Sequence, residues 1–143
     1  KKHSILQGRI VQLFNEFLAG RPGYYAATEL RRRLEYRKTV RFRLPDVCVV
    51  AGDPGDGDPR FLEGAPLLAV ELHSPDMTVA SMLRKLDEYL ANGCRLAWLV
   101  LPEERSVLAA TPDGRVRTVL PGETLDGGDV LPGLSIELDA LFG

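Results

Sequence analysis

The stretch LLAVELHSPDMTVASMLRKLDEYLANGCRLAWLVL, Leu67 to Leu101, sets the architecture of this chain. Leu67 to His73 is almost continuously apolar, as expected of a strand covered on both faces in an α/β sheet, and only Glu71 interrupts it with a charge. From Thr78 to Asn92 the residues Val79, Met82, Leu83, Leu86, Tyr89 and Leu90 recur at three- and four-residue spacing, which predicts an amphipathic helix that Gly93 stops. Arg95 to Leu101 is a second apolar strand and carries the only tryptophan, Trp98.

Upstream, Ile5, Leu6, Ile10, Leu13, Phe14, Phe17 and Leu18 predict a helix over Ser4 to Leu18, closed by Gly20 and Pro22. Tyr24 to Arg43 mixes aromatic and β-branched residues with seven bases and suits exposed antiparallel strands or a strand and a loop. Such a charge run is usually a solvated face, and a strip facing nucleic acid is the alternative. Leu44 to Ala51 reads as a strand that opens on a proline, and Gly52 to Gly64, with four glycines and four acids, as a loop. Downstream, Ser106 to Ala110 and Arg115 to Leu120 flank Asp113-Gly114, a hairpin signal. Gly122 to Gly128 reads as loop, and Leu134 to Phe142 as a short apolar close. The order predicts a mixed sheet with helices packed on it.

The 143 residues fit one domain, 1–143, with 45% apolar and 27% charged residues, so the core needs neither disulfides nor a structural metal. Cys48 and Cys94 each lie in an apolar stretch without a second Cys or His nearby, and read as buried free thiols in a reducing, cytoplasmic compartment. The longest apolar stretches fall far short of the roughly 20 residues that cross a bilayer, so no membrane span is expected. Lys1 and Lys2 lead straight into a mixed stretch, with no secretory signal. The chain starts at Lys rather than Met, so a native N-terminal segment is expected to precede it. A net charge of −2 argues against coating nucleic acid by bulk attraction but allows a local basic strip.

Two carboxylates sit in or at the start of apolar strands, Asp46 and Glu71. If those strands are neighbours and both side chains face one cleft, charges about 5 Å apart repel by roughly 3 kcal/mol at an effective dielectric of 20. A proton on one carboxyl or a hard divalent ion such as Mg²⁺ between them would offset this. Strand alternation puts Glu71 and His73 on one face and Val70 and Leu72 on the other. Lys85 falls on the border of the second helix's apolar stripe, from which it can snorkel toward a cleft or simply meet solvent, while Arg84 lies nearer the outer face.

Pro45-Asp46, Glu71 in VELHSP, Lys85, Leu86 and Tyr89 in KLDEYLANG, the strand RLAWLVLP and the closing LPGLSIELDALF, in that order, make the chain from about His3 to Phe142 resemble the bacterial putative restriction endonuclease family of the PD-(D/E)XK nuclease superfamily. The resemblance implies a restriction-endonuclease-like mixed β-sheet flanked by helices, with a C-terminal β-hairpin, in a domain that lacks its native N-terminal segment, where the family carries a further acid. It implies that Asp46 and Glu71 are catalytic and, with the backbone carbonyl of Leu72, hold Mg²⁺ or Mn²⁺. The superfamily's lysine two residues past the second acid is replaced here by His73, and Lys85 on the following helix takes its place as the third catalytic residue. His73 is then an accessory neighbour or weak ligand. The implied activity is metal-dependent endonucleolytic hydrolysis of DNA. If the basic strip faces nucleic acid, Arg41 and Arg43 are its expected DNA contacts, and a homodimer is the form expected for cutting both strands. An inactive nuclease-fold module that binds DNA or assembles with partners is the competing reading. A small-molecule hydrolase built on Glu71 and His73 ranks below both, because no nucleophile elbow such as GxSxG is present.

Overall fold

A computed structural model of the chain describes residues 2–55, 57 and 60–143. The N-terminal apolar stripe forms α1 (Lys2–Leu18), and the basic region divides into β1 (Tyr24–Ala27), β2 (Arg32–Tyr36) and β3 (Thr39–Arg43). There follow β4 (Val47–Ala51), β5 (Leu62–Glu63), β6 (Leu68–Leu72), α2 (Val79–Leu90), β7 (Leu96–Leu101), β8 (Ser106–Ala110), β9 (Val116–Val119), β10 (Thr124–Asp126), β11 (Ser135–Glu137) and α3 (Leu138–Phe142). The main sheet has the order β1-β4-β6-β7-β8-β9. Among the described residues its one parallel pair is β6 with β7, the two strands that α2 connects. All its other pairings are antiparallel, so the expected mixed sheet flanked by helices is what the chain forms.

The sheet separates two apolar layers, and period-2 alternation decides which residue enters which. Val47, Val49, Leu68, Val70, Leu72, Trp98 and Val100 face α1 and α3, where Phe14 stacks on Trp98 with ring centroids 5.6 Å apart. Ala69, Ala97 and Leu99 face Met82, Leu86 and Tyr89 of α2. The alanines let α2 lie close to the strands. Thr78 caps this helix by accepting from Ser81 N–H at 3.0 Å, and Gly93, at φ +102°, turns the chain back into β7. No helix among the described residues is long and apolar enough to cross a membrane. Both cysteines are free and buried, and burial pushes the Cys48 thiol up to about 12 and the Cys94 thiol up to about 11.

Several local expectations change. Within the glycine-rich loop, Leu62–Glu63 pairs in parallel with β2; Asp56, Asp58 and Pro59 of that loop lie outside the described residues. The segment read as loop at Gly122 to Gly128 contains β10, which pairs with β11. These strands have two or three residues, too few for alternation to register. The basic region is not a uniformly solvated face: Arg32 is 5% exposed, and its Nε donates to the Gly64 carbonyl at 2.7 Å while Nη2 donates to the carbonyls of Glu63 and Ala65. It staples the end of β5 against β2. The β2–β3 hairpin turns through Arg37 and Lys38, both at positive φ, as a two-residue turn of this geometry demands, although neither is the usual Asn or Gly.

Candidate active site

Register puts the two buried-strand acids together. Strands β4 and β6 pair Val47 with Val70 and Cys48 with Ala69, so the next position in line sets Asp46 opposite Glu71 on the face that carries Cys48 and Ala69. That face is the one covered by α2. Asp46 Oδ2 accepts a hydrogen bond from Leu72 N–H at 2.7 Å, and the Asp46 carbonyl accepts one from Gln7 Nε2 of α1 at 2.7 Å. The aspartate is therefore fixed from the neighbouring strand and from α1.

Glu71 is 2% exposed at the end of β6. Its Oε2 accepts from the Tyr89 hydroxyl at 2.6 Å, and its Oε1 lies 3.6 Å from Lys85 Nζ. Lys85 thus leaves the border of the helical stripe and leans over the acid, its side chain 23% exposed. Burial drives the Glu71 carboxyl up to about 7; Lys85 and the Tyr89 hydrogen bond pull it down, and the Asp46 carboxylate within hydrogen-bonding reach pushes it further up. The same burial and the Glu71 charge push the Tyr89 phenol well above its ordinary range, so it stays a neutral donor.

A second ion pair stands beside this one. Arg43 grips Glu88 with both Nε at 2.8 Å and Nη2 at 2.9 Å, and Glu88 is buried on the same face of α2, one residue before Tyr89. Asn92 extends the row by donating to the Glu35 carbonyl and accepting from the Glu35 N–H. Helix α2 thereby ties the β2–β3 hairpin to the element that lies over the acids. Of the two arginines expected at DNA, Arg41 is exposed and Arg43 is held at the rim by Glu88.

His73 is not brought to the acids. Its N–H donates to the Val100 carbonyl, its ring Nε2 donates to the Met77 carbonyl at 2.7 Å, and its own carbonyl accepts from His3 Nε2. The loop after β6 turns its ring away from Glu71. Alternation no longer governs a residue past the strand's end at Leu72.

Among the described residues no third His, Cys, Asp or Glu side chain joins Asp46 and Glu71 in a cation cage. Two carboxylates with a backbone carbonyl still match a hard divalent ion, which commonly keeps several waters and takes only one or two protein carboxylates. Burial is the largest cause of the upward drive on Glu71 and the facing Asp46 a smaller one, and the positive charge of such an ion would offset both. The residues present fit Mg²⁺ or Mn²⁺. Gln7, Glu88 and the role of Tyr89 escape a reading of periodicity, since Tyr89 there is one more apolar stripe residue. A buried tyrosine hydroxyl needing a partner is the signal that points to it.

Comparison with known proteins adds to this geometry. The model of a family described as Uma2, putative restriction endonuclease, matches residues 1–139. A crystal structure described as a putative nuclease belonging to DUF820, from Anabaena variabilis, superposes with a TM-score of 0.83 at 21% sequence identity, covering 99% of this chain and 80% of that one. That likeness is one of fold. No curated protein matches the chain.

Proposed function

The chain belongs to the Uma2 family of putative restriction endonucleases, and from that premise we propose that it is a metal-dependent endonuclease hydrolysing phosphodiester bonds in DNA, with Asp46, Glu71 and Lys85 as its catalytic residues. The observation that carries the reading is the facing pair of acids under a lysine: Asp46 opposite Glu71, with Lys85 Nζ 3.6 Å from Glu71 Oε1. Asp46, Glu71 and the Leu72 carbonyl would hold Mg²⁺ or Mn²⁺. When bound, a divalent ion supplies charge neutralisation for the phosphate and activation of water at neutral pH. Lys85, partly exposed at the mouth, orients the attacking water by donating an N–H to it and adds positive charge where the phosphate arrives. Asp46 keeps its position through the Leu72 and Gln7 hydrogen bonds, so the site is arranged before substrate binds. The ring of His73 has its partner in Met77, and the reaction is assigned no step there. A homodimer in the cytoplasm is the working form of this proposal, since one such site cuts one strand.

Incubation of supercoiled plasmid with the protein and Mg²⁺ or Mn²⁺ tests it: nicked and linear products are expected, and their loss on chelation. Tight DNA binding without any cleavage would instead favour the inactive module. The exposed Arg41 serves as a phosphate contact, so Arg41→Ala lowers the slope of log K against log[salt] for DNA binding by about 1. Arg43→Ala does the same and also loosens the hairpin, because it strands the buried Glu88. A salt slope unchanged in Arg41→Ala removes that residue from the interface.

A further inference from the structure

Helix α2 and the turn that follows it carry a polar row, Lys85, Glu88 and Tyr89 on the helix and Asn92 just past its end, and each member has a partner on a strand. The Lys85 and Glu88 side chains reach a charge and the Asn92 side chain reaches a backbone, contacts that fasten elements together. Tyr89 is different. It is fully buried, it packs among Met82, Leu86 and Leu99 like a core residue, and its hydroxyl makes the shortest hydrogen bond to a carboxylate in the site, 2.6 Å to Glu71 Oε2. We propose that Tyr89 is the positioning residue of the cation site, holding the Glu71 carboxylate in the one rotation that leaves Oε1 available on the Lys85 side. The inference rests on the reading of Asp46 and Glu71 as cation ligands.

The geometry carries it in three steps. The last torsion of a glutamate is broad and two-fold, so packing alone does not fix which oxygen faces where. Asp46 repels the carboxylate and Lys85 attracts it from 3.6 Å, so without a third contact the group swings toward the lysine. The phenol blocks this by engaging Oε2 from inside the core through a 2.6 Å hydrogen bond. Hydrogen-bonding partners behind a metal ligand contribute in this way to affinity, typically 10–100-fold.

Tyr89→Phe keeps the buried ring and removes only the hydroxyl. In the whole chain without DNA, Mn²⁺ binding measured by calorimetry and by the electron paramagnetic resonance signal of free Mn²⁺ is expected to weaken by about 10–100-fold. Plasmid cleavage is expected to return as Mn²⁺ is raised. Met82→Ala, a cavity in the same apolar layer away from the acids, controls for loss of stability and is expected to bind Mn²⁺ as wild type does. Mn²⁺ affinity unchanged in Tyr89→Phe, or weakened as much in Met82→Ala, overturns the positioning role. Equal Mn²⁺ binding by wild type and Asp46→Ala removes the cation site itself, and the Tyr89 role with it. Loss of Mn²⁺ in Asp46→Ala together with its retention in Tyr89→Phe removes the Tyr89 role alone.

Discussion

Asp46→Asn cleaves plasmid DNA about 10³-fold more slowly than wild type, a loss of about 4 kcal/mol of transition-state stabilisation. The size follows from what the substitution takes away. The asparagine oxygen still accepts from Leu72 N–H, and the backbone carbonyl still accepts from Gln7, so the local fold stays. What goes is one of two carboxylate charges facing each other at the ends of β4 and β6, and with it half of the side-chain ligand set for a divalent ion. Asp46→Ala removes the Leu72 contact as well and is expected to lose at least as much. Lys85→Ala is expected to cost about 10²-fold, the scale for a single donor aimed at developing charge. These rates are read under single-turnover conditions with saturating Mg²⁺, beside circular dichroism of each variant. Retention of cleavage within about tenfold in Asp46→Asn would place the chemistry elsewhere.

Glu71→Gln makes the cation-free protein more stable at pH 8 than wild type, by about 3 kcal/mol, and leaves it equal at pH 4. The folded chain holds the Glu71 proton up to about 7, whereas an unfolded glutamate releases it near 4.5. Between those values the native state binds more protons than the unfolded state, so wild-type stability falls as pH rises through this window and then levels off. The cause is burial of a carboxylate at 2% exposure beside Asp46, only partly compensated by Lys85 and Tyr89. Glutamine has the same shape, accepts the Tyr89 hydrogen bond and carries no charge to desolvate. Mg²⁺ reverses the order: a cation that binds only the native wild type raises its stability in proportion to the logarithm of concentration, and the glutamine variant gains little. Urea unfolding at pH 4, 6 and 8, with and without Mg²⁺, reads both effects. A variant less stable than wild type at pH 8 without cation would mean that Glu71 is a stabilising structural charge.

These two acids were conspicuous in the sequence because a charge inside a run such as Ala69 to Leu72, or at the head of Val47 to Val50, contradicts its neighbours. That they face one another was not legible. It depends on β4 pairing with β6 in one register, and a slip of one residue would turn Asp46 to the other face of the sheet. Helices α1 and α2 were visible as apolar stripes many residues long, while β5, β10 and β11 are too short to have a period. The His73 side chain departed from simple alternation because the strand ends one residue earlier, and the loop supplies Met77 as its partner. Arg32 and Glu88 are invisible to composition for a related reason: a charged residue looks solvated until a fold gives it a matching acceptor or cation inside.

Crystals of the protein soaked in MnCl₂ and measured at the manganese absorption edge put the claim to its shortest trial. The expected result is an anomalous peak between the Asp46 and Glu71 carboxylates, within coordination distance of the Leu72 carbonyl, that vanishes in Asp46→Asn. A peak elsewhere on the chain with none between those acids, or one that persists unchanged in Asp46→Asn, contradicts the assignment.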